Sequence, residues 1–342
     1  MGKLSYMAKR LKNMDYKKMF NTIDYLHDRT KKSKVSLFFD IVWCGLRYQA
    51  GYSDYKLFQM YDLNGKQRKT IITRGINNSI VKKYNNKEFT HYFHNKLDFN
   101  KKFNKYLNRD WMELTESNYD EFVEFTKKHK EIIVKPVDQS CGQGIEIFNV
   151  TSKNVKEIYE NLLETKRILI EEVVKQCKEI SKLHPSSINT LRIVTLNHQI
   201  VASYIRIGNK GNVVDNFNHD GVAAPINIET GIVDYPAIDK MDHIYKTHPM
   251  TNEPILWLNI PKWPRIKRFV TELSYVIPEM GYVGWDICVG ETDLYLIEGN
   301  EFPGHDIYQL PPHRTDGIGM LPRFKKAMKE EKDNENSNRN WS

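Results

Sequence analysis

The stretch from residue 284 to residue 304 constrains this chain more than any other. Gly284-Trp285-Asp286-Ile287 leads into Leu294-Tyr295-Leu296-Ile297, followed without a break by Glu298-Gly299-Asn300-Glu301-Phe302-Pro303-Gly304. Two apolar runs joined by a short polar link read as paired strands, and residues two apart on a strand face the same way. Glu298 and Asn300 therefore project together, and antiparallel pairing would place Asp286, twelve residues earlier than Glu298, opposite them. Two carboxylates and an amide oxygen are hard ligands suited to Mg2+, which completes its octahedron with phosphate oxygens and water. The competing reading is an acidic, exposed hairpin. The apolar runs on both sides favour carboxylates with a task.

A second segment carries a lysine into a glycine loop. Ile132-Ile133-Val134-Lys135 is a β-branched strand, and Pro136-Val137-Asp138-Gln139-Ser140-Cys141-Gly142-Gln143-Gly144 follows it. Glycines let a backbone approach a polyanion, successive N–H groups can cradle phosphate oxygens, and the lysine supplies a point charge. Alone, such a loop is equally a tight turn beside a surface lysine. Glu171 then lies 36 residues beyond Lys135, in Ile168-Leu169-Ile170-Glu171-Glu172-Val173-Val174. A strand that becomes a linker offers what a purine needs: an acceptor for its exocyclic amine, backbone groups for its edge and apolar walls.

Around these segments the chain changes character once. Met19, Phe20, Ile23 and Leu26 continue a helical stripe begun by Leu4, Met7, Leu11 and Met14. The helical pattern runs on through 38–48 and 55–61, predicting a helical region over 1–85. From 86 to 329 helices (96–107, 119–130, 155–165, 266–277) mix with strands (131–134, 145–150, 167–172, 191–196, 200–207, 231–234, 294–297) without strict alternation. That is an α+β pattern. The polar end, 330–342, has little to bury and reads as disordered.

Composition narrows the class further. No apolar run approaches the roughly 18–20 residues that span a bilayer, and no secretory signal is visible. The four cysteines, Cys44, Cys141, Cys177 and Cys288, are scattered. They suit neither a disulfide framework nor a zinc site, and fit a reducing cytosol. Residues 1–34 hold ten Lys/Arg against three Asp, a formal +7 of the chain's +8. Such a segment favours an anionic membrane surface or nucleic acid, or is simply a solvated helix face.

Together the lysine with its glycine loop, the Glu-Glu linker and the Asp…Glu-x-Asn hairpin resemble the ATP-grasp superfamily over about 96–309. The closest resemblance is to the sugar-transfer-associated ATP-grasp group of bacterial surface-polysaccharide gene clusters. It rests on Ser186-Ser187-Ile188-Asn189-Thr190-Leu191-Arg192-Ile193-Val194-Thr195, Val214-Asp215-Asn216, Gly284-Trp285-Asp286 and Glu298-Gly299-Asn300, and less specifically on Ser53-Asp54-Tyr55 and Gln67-Arg68. The resemblance implies an ATP-grasp fold, two α+β lobes sandwiching ATP, over 86–329. It also implies a Mg-ATP site. Lys96 and Lys135 would hold phosphates, with Lys101 and Lys102 as alternatives to Lys96, and Ser140, Gly142 and Gly144 would form the loop. Glu171 and the Glu172–Val174 backbone would read adenine. Asp286, Glu298 and Asn300 would bind Mg2+, and Arg192 and Arg206 would face the phosphates or the acceptor. His219-Asp220-Gly221 departs from the Gly-Gly pair usual in the group. His248 and His305 are conceivable bases, though their settings read as structural.

The implied chemistry is a ligation in the cytoplasm, at or near the inner membrane face. ATP converts a carboxylate to an acyl phosphate, which an amine attacks, the acceptor being a small molecule or sugar-linked group rather than nucleic acid. The alternatives are phosphotransfer to a hydroxyl on the same fold, or a nucleotide-binding protein without catalysis.

Overall fold

A computed structural model describes residues 15–137, 144–210, 215, 217 and 220–329. The stripe from Leu4 to Met14, loop residues Ser140 and Gly142, Val214, Asn216 and His219, and residues 330–342 lie outside the described residues. The chain divides into two compact units, Met1–Lys83 with Gly304–Ser342, and Tyr84–Pro303. Residues after Pro303 group with the helices of the first unit. The Gln309 side chain accepts from Ile72 N at 3.0 Å and donates to Ile72 O at 2.7 Å, which ties this segment in.

The first unit is helical: α1 (Tyr16–Thr30), α2 (Lys34–Tyr48), α3 (Tyr52–Leu57), α4 (Gly65–Arg68) and α5 (Arg74–Tyr84, whose last residue opens the second unit). Asp15 caps α1 by accepting from Lys18 N, and Ser33 caps α2 by accepting from Ser36 N, each satisfying an otherwise unpaired helix N–H. The pattern over 55–61 is not one helix. Gln59 takes φ 45° and breaks it, and a short 3-10 turn, Met60–Asp62, follows. Inside this unit Asp40 accepts from Arg68 Nη1 and Nη2 at 2.6 and 2.7 Å and from Tyr55 Oη at 2.6 Å.

The second unit adds α6 (His91–His94), α7 (Lys96–Leu107), α8 (Tyr119–Lys128), α9 (Val155–Glu164), α10 (Lys178–Ser181) and α11 (Trp263–Ser274) to two antiparallel sheets. The smaller sheet has β1 (Trp111–Glu113), β2 (Glu131–Lys135), β3 (Glu146–Asn149) and β4 (Leu169–Glu172), in the order β1-β4-β2-β3. Phe122 of α8 and Leu162 of α9 share a core with Ile132, Val134 and Ile170 of this sheet. The larger sheet contains β5 (Leu191–Leu196), β6 (Gln199–Ile207), β7 (Val222–Pro225), β8 (Ala237–Ile238), β9 (Ile244–Tyr245), β10 (Tyr282–Val289) and β11 (Leu294–Asn300), in the order β11-β10-β5-β6-β7-β8-β9. The strand expected over 231–234 does not form: Gly231 takes φ +76°, and Ile232 makes only an isolated bridge to Asn259.

Alternation on the larger sheet decides what faces where. Leu191, Ile193, Ile205, Ile207, Val283, Trp285 and Ile287 join Phe103 of α7 and Ile266 and Val270 of α11 in the main core. Arg192, Arg206 and Asp286, at the intervening positions, share the opposite face, since successive strand residues point to opposite sides. Among the described residues, no helix is long and apolar enough to cross a membrane.

Candidate active site

The Asp286 carboxylate is the centre of the site. Wholly buried on β10, it pairs in register with Arg192 of β5 on one side and Glu298 of β11 on the other. Arg192 donates to both its oxygens, through Nε to Oδ1 and through Nη2 to Oδ2 at 2.9 Å. Arg206 Nη2 adds a bond to Oδ2 at 2.7 Å. Burial alone would raise the Asp286 pKa, but the two guanidiniums overcome it and hold the carboxyl at about 2. Gly284 leaves room for this grip, because a Cβ there would come within 3.0 Å of the Arg192 side chain. An acidic, solvated hairpin is therefore not what the sequence builds.

Glu298 owes its position to a β-bulge. Asp286 pairs with Glu298, but Ile287 pairs with Leu296, so Ile297 has no partner. Leu294 and Leu296 point into the main core, and strict alternation would send Glu298 after them. The extra residue reverses the phase: Gly299 is buried while Glu298 and Asn300 stay accessible. Bulges of this kind re-aim side chains beside functional sites. The Glu298 side chain keeps 45% of its exposure, so solvent reaches it although protein crowds it. That crowding, together with the negative Asp286 beside it, raises the Glu298 pKa to about 7. Asn300 Oδ1 accepts from Phe302 N at 2.9 Å.

Behind Arg206 stand Thr190 and Asp215. Arg206 Nε and Nη2 donate to Thr190 Oγ1 at 3.0 and 2.8 Å, and Thr190 donates through its backbone N (2.7 Å) and its hydroxyl to Asp215. Asp215 Oδ1 lies 3.5 Å from Arg206 Nη2, and burial raises its pKa despite that charge. Thr190 and Asp215 occur in the motifs of the resemblance, but no spacing rule assigned them a role.

The lysine side is built on the smaller sheet. Lys135 ends β2, is buried, and donates to Glu171 Oε2. Glu171, expected at a purine, is occupied otherwise. Its oxygens also accept from Asn100 Nδ2 at 2.7 Å and from Arg109 Nε and Nη2 at 2.9 and 2.8 Å. Burial would raise the Glu171 pKa, but Arg109 and Lys135 drive it well below the carboxylate range. Burial lowers the Lys135 pKa, and Glu171 opposes that shift. Glu172 accepts from Asp110 N at 3.1 Å and borders a cavity of ≈ 320 Å³ shared with Arg109 and His129. Arg109 Nη1 also donates to Leu296 O, joining this cluster to β11. Neither Asn100 nor Arg109 had a sequence signal.

The three lysines named for the first phosphate position sit in different settings. Lys96 opens α7 beside the end of β2, with its N bonded to Val137 O at 3.1 Å and its Nζ to Pro136 O at 3.1 Å. Lys101 Nζ instead pairs with Glu113 at 2.8 Å, and Lys102 Nζ lies over the Tyr92 ring. Among the described residues, Lys96 is the one of the three bonded to Pro136 and Val137. Gly144, on the far side of the loop, adopts φ +70°, a conformation that favours glycine.

The remaining candidates have other settings. His248 is fully buried, with Nε2 bonded to Gly208 O at 2.8 Å. His305 belongs to the other unit, with Nε2 3.8 Å from Asp54. Cys288 is buried, and burial pushes its thiol up to about 12, so it offers no thiolate near Asp286.

Two antiparallel sheets, one carrying the lysine and the other the acidic hairpin, define an ATP-grasp fold. The chain belongs to the sugar-transfer associated ATP-grasp family, whose profile matches residues 75–327. No curated protein matches the sequence. Among solved structures it is similar to the ATP-grasp ligase PsnB complexed with minimal precursor, at 10% identity over 72% of this chain and 63% of that one, TM-score 0.43. It is also similar to D-cycloserine synthetase DcsG (8% identity, 71% and 72% covered, TM-score 0.42). A third is D-alanyl-alanine synthetase A from Vibrio cholerae O1 biovar eltor (15% identity, 69% and 60% covered, TM-score 0.40). The chain therefore spans less than two thirds of the PsnB structure's length.

Proposed function

We propose that this chain is a Mg-ATP-dependent ligase that activates a carboxylate as an acyl phosphate for attack by an amine. The observation that carries the proposal is the Arg192–Asp286–Glu298 row across three adjacent strands. Lys135, on the facing sheet, lies near enough to Glu298 to feel its charge.

The residues fit a divalent cation. Asp286 and Glu298 are like charges side by side, and their repulsion is part of what raises the Glu298 pKa. A cation at Glu298 would offset that repulsion while Asp286 stays on its two arginines, and the accessible Glu298 and Asn300 supply oxygens of the type Mg2+ takes. When bound, Mg2+ would neutralise charge on the phosphates during transfer. Lys96 and Lys135 would hold the phosphates, the Glu172–Val174 backbone would meet the purine edge, and the Gly144 backbone, with no Cβ, would approach the anion. Arg192 carries five N–H donors, of which Asp286 takes two. Its remaining donors suit a planar carboxylate or its acyl phosphate. Arg206, bonded to Thr190 and Asp286, adds a second positive charge beside Arg192 and helps hold the Asp286 carboxylate in place. The family description supports a sugar acid or sugar-linked amine as acceptor, which would tie the reaction to surface-polysaccharide or other envelope modification.

The test is ADP release in Mg-ATP with panels of sugar acids, amino acids and alcohols, each with and without an amine. Turnover that needs an acid and an amine together is expected. Turnover with an alcohol alone, yielding a stable phosphate ester, would make the chain a phosphotransferase.

A further inference from the structure

Helix α2 is apolar on two opposite faces. Leu37, Ile41, Cys44 and Tyr48 are buried within its own unit. At about 100° per residue, Val35, Phe39, Val42, Trp43 and Leu46 fall within one arc on the other side. All five are exposed, to 67% at Val35, 64% at Phe39 and 55% at Trp43. Phe20 of α1, also exposed, extends the patch by stacking on Phe38 with ring centroids 6.3 Å apart. Asp40 does not interrupt it, since Arg68 and Tyr55 hold that carboxylate on the flank of the helix. A helix apolar on every side is normally covered, and a contiguous apolar patch on a surface marks a place of contact.

Charge indicates what covers it. Residues 1–34 carry a formal +7; exposed Lys17, Lys31 and Arg47 lie on or beside the ends of these two helices, where Lys18 and Lys34 pair with Asp15 and Asp24. A symmetric contact with a second copy would bring two such segments together, and like charges repel. An anionic headgroup layer supplies the opposite charge, with an apolar layer beneath it. Aromatic and aliphatic side chains on one face with a basic rim are the chemistry of a helix lying in the plane of a membrane interface. Fifteen residues are too few to span a bilayer.

We propose that the outer face of α2 docks this chain on an anionic membrane surface, with Phe39 and Trp43 entering among the lipids and the basic rim on the headgroups. This inference is independent of the catalytic reading. It is tested by co-sedimentation of the full chain with phosphatidylglycerol-containing and pure phosphatidylcholine vesicles at low and high salt, beside the variants Phe39→Ser with Trp43→Ser and Lys17→Glu with Lys31→Glu. All four positions are exposed, so circular dichroism and melting should match the wild type. Binding at least about tenfold stronger to the anionic vesicles, weakened by salt and by either variant pair, is expected. No binding, or binding indifferent to Phe39→Ser with Trp43→Ser, overturns the proposal. So does sedimentation equilibrium showing a wild-type dimer that the same variant dissolves, because the face would then serve a second copy. Vesicle binding that appears only after residues 1–14 are removed would show that this segment covers α2 itself, and would also overturn it.

Discussion

Arg192 and Asp286 are cross-strand partners on β5 and β10, and the guanidinium edge closes on both oxygens of a carboxylate that is wholly buried. Glu298 lies on the other side of the same aspartate and is only half enclosed. Two neighbouring acids therefore have different tasks. Asp286 anchors two arginines, while Glu298, 3.9 Å from Arg192 Nη2, keeps nearly half of its exposure.

That difference yields opposite mutational outcomes. Asp286→Asn strands buried guanidinium charge and should destabilise the fold by about 3–5 kcal/mol, the usual cost of breaking a buried ion pair. Glu298→Gln removes a repulsion, so its melting temperature without ligands at pH 8 should equal or exceed the wild type. The gain should be at most about 1 kcal/mol given its exposure. Its Mg-dependent ATP turnover should nevertheless fall at least about a hundredfold. Thermal melts beside an ADP-release assay check both, and near-normal turnover in Glu298→Gln would remove it from the cation site.

The proposed phosphate lysines can be ranked. Lys135→Ala should weaken ATP binding by about 1.5–3 kcal/mol, the worth of a hydrogen bond to a charged group, and leave adenosine binding unchanged. Its structural cost should be limited, because Arg109 and Asn100 still hold Glu171. Lys96→Ala should follow the same pattern, whereas Lys101→Ala should not, since its side chain is spent on Glu113. Calorimetry with both ligands decides. Equal losses for ATP and adenosine would make Lys135 a support for the fold.

Much of this site was readable from period and chemistry. Strand alternation brought Glu298 and Asn300 to one face, and α7 occupies 96–107 as expected because Phe99, Phe103 and Leu107 repeat on one side above the Asn95 cap. The bulge at Ile297 was not readable, since nothing in an apolar run says where an extra residue sits. Asn100 and Arg109 escaped for a different reason: their role is to neutralise Glu171, and that need exists only once β4 has buried it. β7, β8 and β9 run to only four, two and two residues. At that length no alternation can be seen, and pairing with a neighbour decides.

Acid should loosen the second unit through two buried histidines. His184 and His248 are almost fully enclosed, and burial pushes both imidazoles below their ordinary pKa of 6.5. The unfolded chain therefore takes up protons near pH 6.5 while the folded chain does not, so stability falls as pH drops below that value. His184 Nε2, buried and without a hydrogen-bond partner, would gain a donor it cannot satisfy. His248→Gln can still donate to Gly208 O and cannot titrate. Its melting temperature should drop less than that of the wild type between pH 7.5 and 5.5, and an identical drop would show that other groups carry the acid sensitivity.

The most direct test of the central claim is hydroxylamine trapping in Mg-ATP across the acid panel, with ADP, AMP, phosphate and hydroxamate quantified together. An acyl phosphate is a mixed anhydride open to any strong amine nucleophile, so the right acid should yield hydroxamate with ADP and phosphate. Arg206→Lys keeps the charge but loses the fork that spans Thr190 and Asp286. It should raise the acid concentration required while ATP affinity stays near normal. AMP with pyrophosphate, or ADP with a stable phosphorylated alcohol and no hydroxamate from any acid, would contradict the ligase account.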